Sequence, residues 1–181
     1  SSSNTSLENL DLGNNQIIGM EGGILLTKSL SNNIVLKELD ISWAVSPGFE
    51  GFIMSQHGWN LFFNGLKSCA LQKLSLEGNS IRGDSVQLIS KCLANNPAVC
   101  VLDLRDNLLD NEDARALSES LKTNTNLRCL KLAQNRITEL GIDCLRDAVY
   151  SLSELNAIHD SNHTCYIGMG SNGILSMYNY L

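Results

Sequence analysis

The sequence predicts an α/β solenoid, a right-handed β-α superhelix of about six repeats with a parallel sheet on its concave face and helices on its convex face. Three observations predict it. One pattern recurs: "LENLDLGNNQI" at Leu7, "LKELDISWAV" at Leu36, "LQKLSLEGNSI" at Leu71, "VCVLDLRDNLL" at Val99, "LRCLKLAQNRI" at Leu127 and a decayed copy at Leu155. Within each copy the apolar residues alternate with period two, as in a strand with one buried face. After each copy the apolar spacing changes to three and four, as on one face of a helix. A repeated unit of this size cannot bury its apolar face alone, so it must stack on its neighbours.

The first half of each unit reads as a strand. Leu10 and Leu12, Leu39 and Ile41, Leu74 and Leu76, Leu102 and Leu104, and Leu130 and Leu132 are the inward-pointing pairs. An Asn follows in one register (Asn15, Asn79, Asn107, Asn135), where its amide can bond backbone groups of a neighbouring turn. The next apolar residue (Ile17, Ile81, Leu109, Ile137) returns to the core.

The second half reads as a helix. Gly23, Leu26 and Leu30 give its inner face in the first unit. The same positions are Val86, Ile89 and Leu93, then Ala114, Leu117 and Leu121, then Ile142, Leu145 and Val149. Asn96 and Asn124 fall just past the last helix leucines, and are expected to end the helices in the left-handed conformation that Asn tolerates.

The pattern LxxLDLxxNxIxxxGxxxLxxxLxxNxx, carried by residues 7–165, resembles the ribonuclease-inhibitor-like class of leucine-rich repeats. The resemblance implies a curved solenoid. On function it implies little, because the same repeats serve inhibitors, immune receptors and GTPase regulators. It keeps one alternative open, a GTPase-activating regulator of the Ran-GTPase-activator type.

Two units depart from the pattern. The second runs from Leu36 to Leu71 and has Ala44 in the Asn register. The sixth has Asp160 at a core position and His163 in the Asn register. It reads as a terminal cap of a repeat domain over residues 1–165, followed by a cap or tail over 166–181.

The totals bound the function. The formal charge is −6, with 13 Lys plus Arg against 19 Asp plus Glu, which argues against a nucleic-acid binder and hints at a basic partner. No stretch has the roughly 18 apolar residues that a membrane span needs. The start "SSSNTSLENL" has no signal-peptide pattern and no Met, which suggests a piece of a longer chain or assembly. Six cysteines without a CxxC pair read as reduced thiols in an intracellular, cytoplasmic protein. Nothing calls for a cofactor or a metal. The acids of "RDNLLDNED" read as helix caps at Asp110, Glu112 and Asp113 rather than as a calcium loop, because Leu108 and Leu109 interrupt the ligand spacing. No His stands in a nucleophile motif, so the reading is non-enzymatic.

Two surfaces are candidates for binding another protein. The first is the insertion of the second unit. Trp59 and Phe62 fall in core registers and Phe63 in an outer one, whereas Trp43, Phe49 and Phe52 belong to no core register. These three either anchor a partner or fold over the loop itself. The second is the concave face, where strand alternation points Asp11, Asp40, Asp103, Arg105, Lys131 and His159 to solvent. That face either docks a basic segment or only keeps the solenoid soluble. An ion pair between Asp103 and Lys131 is expected there, exposed and of small energy.

Overall fold

The computed structural model describes residues 6–15, 25, 26, 28, 33–43, 56–66, 70–149 and 165–170. In chain order the elements are β1 (Asn9–Asp11), β2 (Glu38–Asp40), α1 (Gln56–Leu66), β3 (Lys73–Ser75), α2 (Asp84–Ala94), β4 (Val101–Asp103), α3 (Asn111–Leu121), β5 (Cys129–Lys131), α4 (Glu139–Val149) and β6 (Tyr166–Gly168). The strands form one parallel sheet in sequence order. Their register superposes Leu10, Leu39, Leu74, Leu102, Leu130 and Ile167 as one column. From Leu39 onward that column is buried against the helices, together with Ile41, Leu76, Leu104 and Leu132. Each buried leucine or isoleucine contributes about 1.5–3 kcal/mol by leaving water. The α/β solenoid is therefore present as the leucine spacing required.

The asparagines in the shared register form a buried polar ladder behind the strands. The Asn107 amide donates to Leu76 O at 3.0 Å and to Leu104 O at 3.1 Å, while its Oδ1 accepts from the backbone N–H of Asn79 and Ile81. Asn135 donates to Leu104 O at 2.8 Å and accepts from Leu109 N–H at 3.0 Å. Asn79 donates to Ile41 O at 2.9 Å. The turns that follow the strands leave these backbone groups without a sheet partner, and the ladder satisfies them.

A second column has no residue type in common. Asn14, Trp43, Gly78, Asp106 and Gln134 occupy the same place after successive strands, and all have φ between 50° and 69°. In the first four this left-handed turn aims the N–H at the next coil: Asn14 N–H meets Ser42 O at 2.9 Å, Trp43 meets Glu77 O at 2.8 Å, Gly78 meets Arg105 O at 3.0 Å and Asp106 meets Ala133 O at 3.0 Å. The column adds one backbone rung beyond the strands. Four of its five residues accept a conformation that favours glycine.

At the helix starts, Asp110 caps α3: its carboxylate accepts from Glu112 N–H and Asp113 N–H. Asp113 completes a capping box and also accepts from Gly83 N–H of the preceding coil at 3.0 Å. Burial pushes the Asp113 carboxyl above its ordinary range, against the pull of these donors. Gly141 in α4 allows close approach: a β-carbon there would stand 2.7 Å from Ile137 Cγ2 and 2.8 Å from Asn111 Oδ1.

Three sequence expectations are corrected. Phe63 is buried rather than outward, because its ring stacks on Trp59 with centroids 5.4 Å apart while Phe62 meets both edge-on. Its register faces the neighbouring helix, where Ser90 and Ser118 are buried too. Asn124 is not left-handed; only Asn96 has that conformation, at φ 55°. Asn124 is buried instead, donating to Leu93 O at 2.7 Å and accepting from Leu127 N–H at 2.7 Å.

The third correction concerns the last strand. The sixth strand is Tyr166–Gly168, not the segment expected from Leu155, and Lys131 is opposite Gly168 rather than His159. The copy at Leu155 would set Asp160 in the core, whereas Ile167 and Met169 supply two apolar residues at the inward positions. The sheet therefore continues into the first of the residues read as a cap or tail.

Candidate functional site

The concave face is built from the third, fifth and seventh residues of each coil. β1 to β5 place Asp11, Asp40, Ser75, Asp103 and Lys131 side by side in one row. The row divides into two unlike halves.

In the second half the charges neutralise one another. Asp103 is only 5% exposed and accepts from Arg105 Nε at 2.9 Å and from Lys131 Nζ at 3.0 Å. Arg105 also reaches Glu77 Oε2 at 2.6 Å. Burial alone would push the Asp103 carboxyl up, but the hydrogen bonds from Arg105 and Lys131 outweigh it and hold the group below its ordinary value. Glu77 goes the other way, since its burial outweighs the attraction of Arg105. The expected Asp103–Lys131 pair is present, but its carboxylate is buried and shared, not exposed.

In the first half the row is acidic. Asp11 Oδ1 accepts from Gly13 N–H at 2.8 Å, and Asp40 Oδ1 accepts from Ser42 N–H at 2.8 Å. Among the described residues no cation lies against either carboxylate. Of the nearby cations, Lys73 is taken on the same face by Glu38 at 2.6 Å, and Lys37, one residue before β2, pairs with Glu8 at 2.9 Å. The side chains of Asp11, Asp40 and Ser42 converge over Gly13. A β-carbon on that glycine would meet Ser42 Oγ at 2.9 Å, Asp11 Oδ1 at 3.2 Å and Asp40 Oδ1 at 3.4 Å.

At the rim beyond this half stands Trp43. It is 41% exposed, and its indole lies over Gly78 of the next coil. Any side chain on Gly78 would close that space, so a bare Cα is what allows the ring to lie there.

The structure brings Asp11, Asp40 and Trp43 to one end of the concave face, and joins Asp103, Arg105 and Lys131 into a separate cluster. Phe49, Phe52 and His159 lie outside the described residues. Sequence reasoning missed Ser42 and Gly13 as parts of the site. Their signal was present in the column after the aspartates, where a hydroxyl in one coil adjoins a glycine in the coil before.

The convex face is less suited to a charged partner. A shallow groove between α2 and α3 is lined by Lys91, Glu112, Arg115 and Glu119, but Arg115 pairs with Glu112, and Glu119 with Lys122. Among the described residues no cluster of His, Cys, Asp and Glu has the makings of a metal site. Cys92, Cys100, Cys129, Cys144 and Cys165 are free thiols. Among the described residues no helix is long and apolar enough to cross a membrane.

Comparison with known proteins agrees with the geometry. The family described as "Leucine Rich repeat" matches two segments, residues 3–26 and 123–145. No curated protein matches the chain. The solved structure of leiomodin-1 actin-binding site 2 (ABS2) has a similar fold, with a TM-score of 0.59 at 16% identity, over 79% of this chain and 81% of that one. Strand register, asparagine ladder and both likenesses point the same way: the chain folds as an α/β solenoid of leucine-rich repeats.

Proposed function

We propose that this chain is a non-enzymatic interaction module that docks a basic segment of another protein on the first half of its concave face. One observation carries the reading. Asp11 and Asp40 face solvent with backbone partners alone, while the cations of the same face, Lys73, Arg105 and Lys131, are held by Glu38, Glu77 and Asp103. A net charge of −6 adds long-range attraction for a cationic partner. Trp43 supplies an exposed aromatic anchor beside the acids, and Phe49 and Phe52 of the same insertion belong to the proposed surface. The rigid stack holds these groups at fixed spacing, so little conformational freedom is lost on binding. That a protein with a similar fold bears an actin-binding site supports the use of this architecture for protein recognition.

The experiment compares partner capture by the full chain with that of two variants. Asp11→Asn with Asp40→Asn removes the concave acids, and Glu112→Gln with Glu119→Gln removes convex ones. The reading expects capture to fail for the concave variant and to survive in the convex one. Equal capture by all three would overturn it.

A further inference from the structure

We infer that the outer edge of β1 takes a further strand from the docked partner, an extended segment that alternates apolar and basic residues. The inference rests on the docking reading above and gives that basic segment its conformation and pattern.

Backbone polarity marks the edge. The sheet runs from β1 to β6, so among the described residues β1 has a strand on one side only. In each later coil the third residue gives its N–H to the coil before: Glu38, Lys73, Val101, Cys129 and Tyr166 do so at 2.8 to 3.0 Å. The carbonyl of the fifth residue accepts from the coil before: Asp40, Ser75, Asp103, Lys131 and Gly168 do so at 2.7 to 3.1 Å. The matching groups of the first coil are Asn9 N–H and Asp11 O, on the side without a strand. Edge groups of this kind are a template for pairing with another chain. The asparagine ladder breaks off at the same edge. Asn79 reaches Ile41 O of the coil before, whereas Asn15 bonds Gly13 O of its own coil at 3.1 Å.

The core is open on that side. The first residue of the coil is at most 3% exposed at Leu36, Leu71, Val99 and Leu127, but Leu7 is 38% exposed. Leu10 and Leu12 are only partly buried, whereas their counterparts from Leu39 and Ile41 onward are buried. Each coil of a stack is covered by its neighbours on both sides. A strand added beside β1 therefore carries apolar residues at its inward positions, which alternate along the chain.

Charge decides what stands between them. Among the described residues four ion pairs join adjacent coils, Glu8–Lys37, Glu38–Lys73, Glu77–Arg105 and Asp103–Lys131, and in each the later coil brings the cation. Opposite Asp11 the later coil brings Asp40, a second acid. A cation can stand across the sheet from Asp11 only on the outer side, so the outward residues of the added strand are basic. A second copy of this chain has no cation to offer from its own β1, which reads Asn9, Leu10, Asp11.

The test titrates the full chain with acetylated, amidated Val-Lys-Val-Lys-Val-Lys and follows backbone amides by magnetic resonance. At saturation the Asn9 amide is expected to exchange at least about tenfold more slowly, because it gains an acceptor. The same peptide methylated at every backbone nitrogen keeps its charges but has no donors, and should bind at least about tenfold more weakly. Asn9→Pro removes the edge donor, leaves every acid in place and should weaken the unmethylated peptide about fivefold. Hexalysine and the Val-Glu counterpart should each bind at least about tenfold more weakly. Concave-face shifts without slower Asn9 exchange, or equal binding of the methylated peptide, would overturn the added strand and leave the docking face standing. Equal binding of hexalysine would overturn the alternating pattern, and equal binding of the Val-Glu peptide would overturn the basic partner. Slower Asn9 exchange on raising the protein concentration alone would overturn the assignment in favour of a second copy. Absence of any shift along β1 to β5 with every peptide would overturn both the strand and the docking face.

Discussion

The indole of Trp43 lies so close over Gly78 that a β-carbon on the glycine would stand 2.3 Å from the ring. The two residues occupy the same left-handed column in adjacent coils, at φ 50° and 69°. Trp43 holds a conformation costly for a bulky side chain, and its stacking on the bare Cα offsets part of that cost. Gly78→Ala should therefore expel the ring and strain the turn together. The expected loss is about 2 kcal/mol in urea unfolding, with a red shift of Trp43 emission measured in a Trp59→Phe background. An unshifted spectrum would contradict the packing.

Asn107 serves five backbone groups with one amide. Asn107→Ala leaves buried donors and acceptors unmet and should cost about 4 kcal/mol. Asn107→Asp should cost nearly as much, since a carboxylate cannot donate to Leu76 O and Leu104 O. Chemical denaturation of both variants checks the pair. A mild effect of the aspartate would mean that the accepting side of the ladder dominates.

Asp103 gives stability a pH dependence. Its folded pKa is lowered, so the stabilisation is fully present above its unfolded value and is lost as pH falls through the folded one. Stability should decline below about pH 4, and Asp103→Asn should flatten that decline while costing about 2 kcal/mol at neutral pH. Glu77 has the opposite sign: its pKa is raised, so its contribution is present at low pH and fades as pH rises through the folded value. Unfolding midpoints from pH 3 to 7 for wild type, Asp103→Asn and Glu77→Gln separate the two.

The thiols should react in a fixed order. Burial, reinforced by Cys129, pushes the Cys165 thiol up to about 12, so it carries almost no thiolate at neutral pH. Alkylation followed by mass spectrometry should label Cys144 and Cys100 before Cys165. Early labelling of Cys165 would show β6 detached from the sheet.

How much of this could be read beforehand depends on what a position demands. The leucine pairs and the asparagines were legible because their positions select by side chain: Leu74, Leu102 and Leu130 must be apolar, and Asn107 must both donate and accept. The left-handed column was not legible, because it asks for a backbone shape, and Asn14, Trp43, Gly78, Asp106 and Gln134 meet that demand with nothing in common. Phe63 was misplaced because burial there comes from stacking on Trp59, a pairing specific to one coil. β6 was missed because pitch was carried past a connection that does not keep it. Asp11 and Asp40 were found from alternation alone, but their difference from Asp103 depends on which cation the neighbouring strand supplies.

The asparagine ladder has a direction. Asn79, Asn107 and Asn135 each attend to the coil before their own. Peeling the stack from its first coil leaves those amides free to meet water, whereas peeling it from the last strips protection from backbone that stays folded. Erosion should thus be harder to begin at the trailing end than at the leading one, and amide exchange should slow progressively along the array from β1 toward β5.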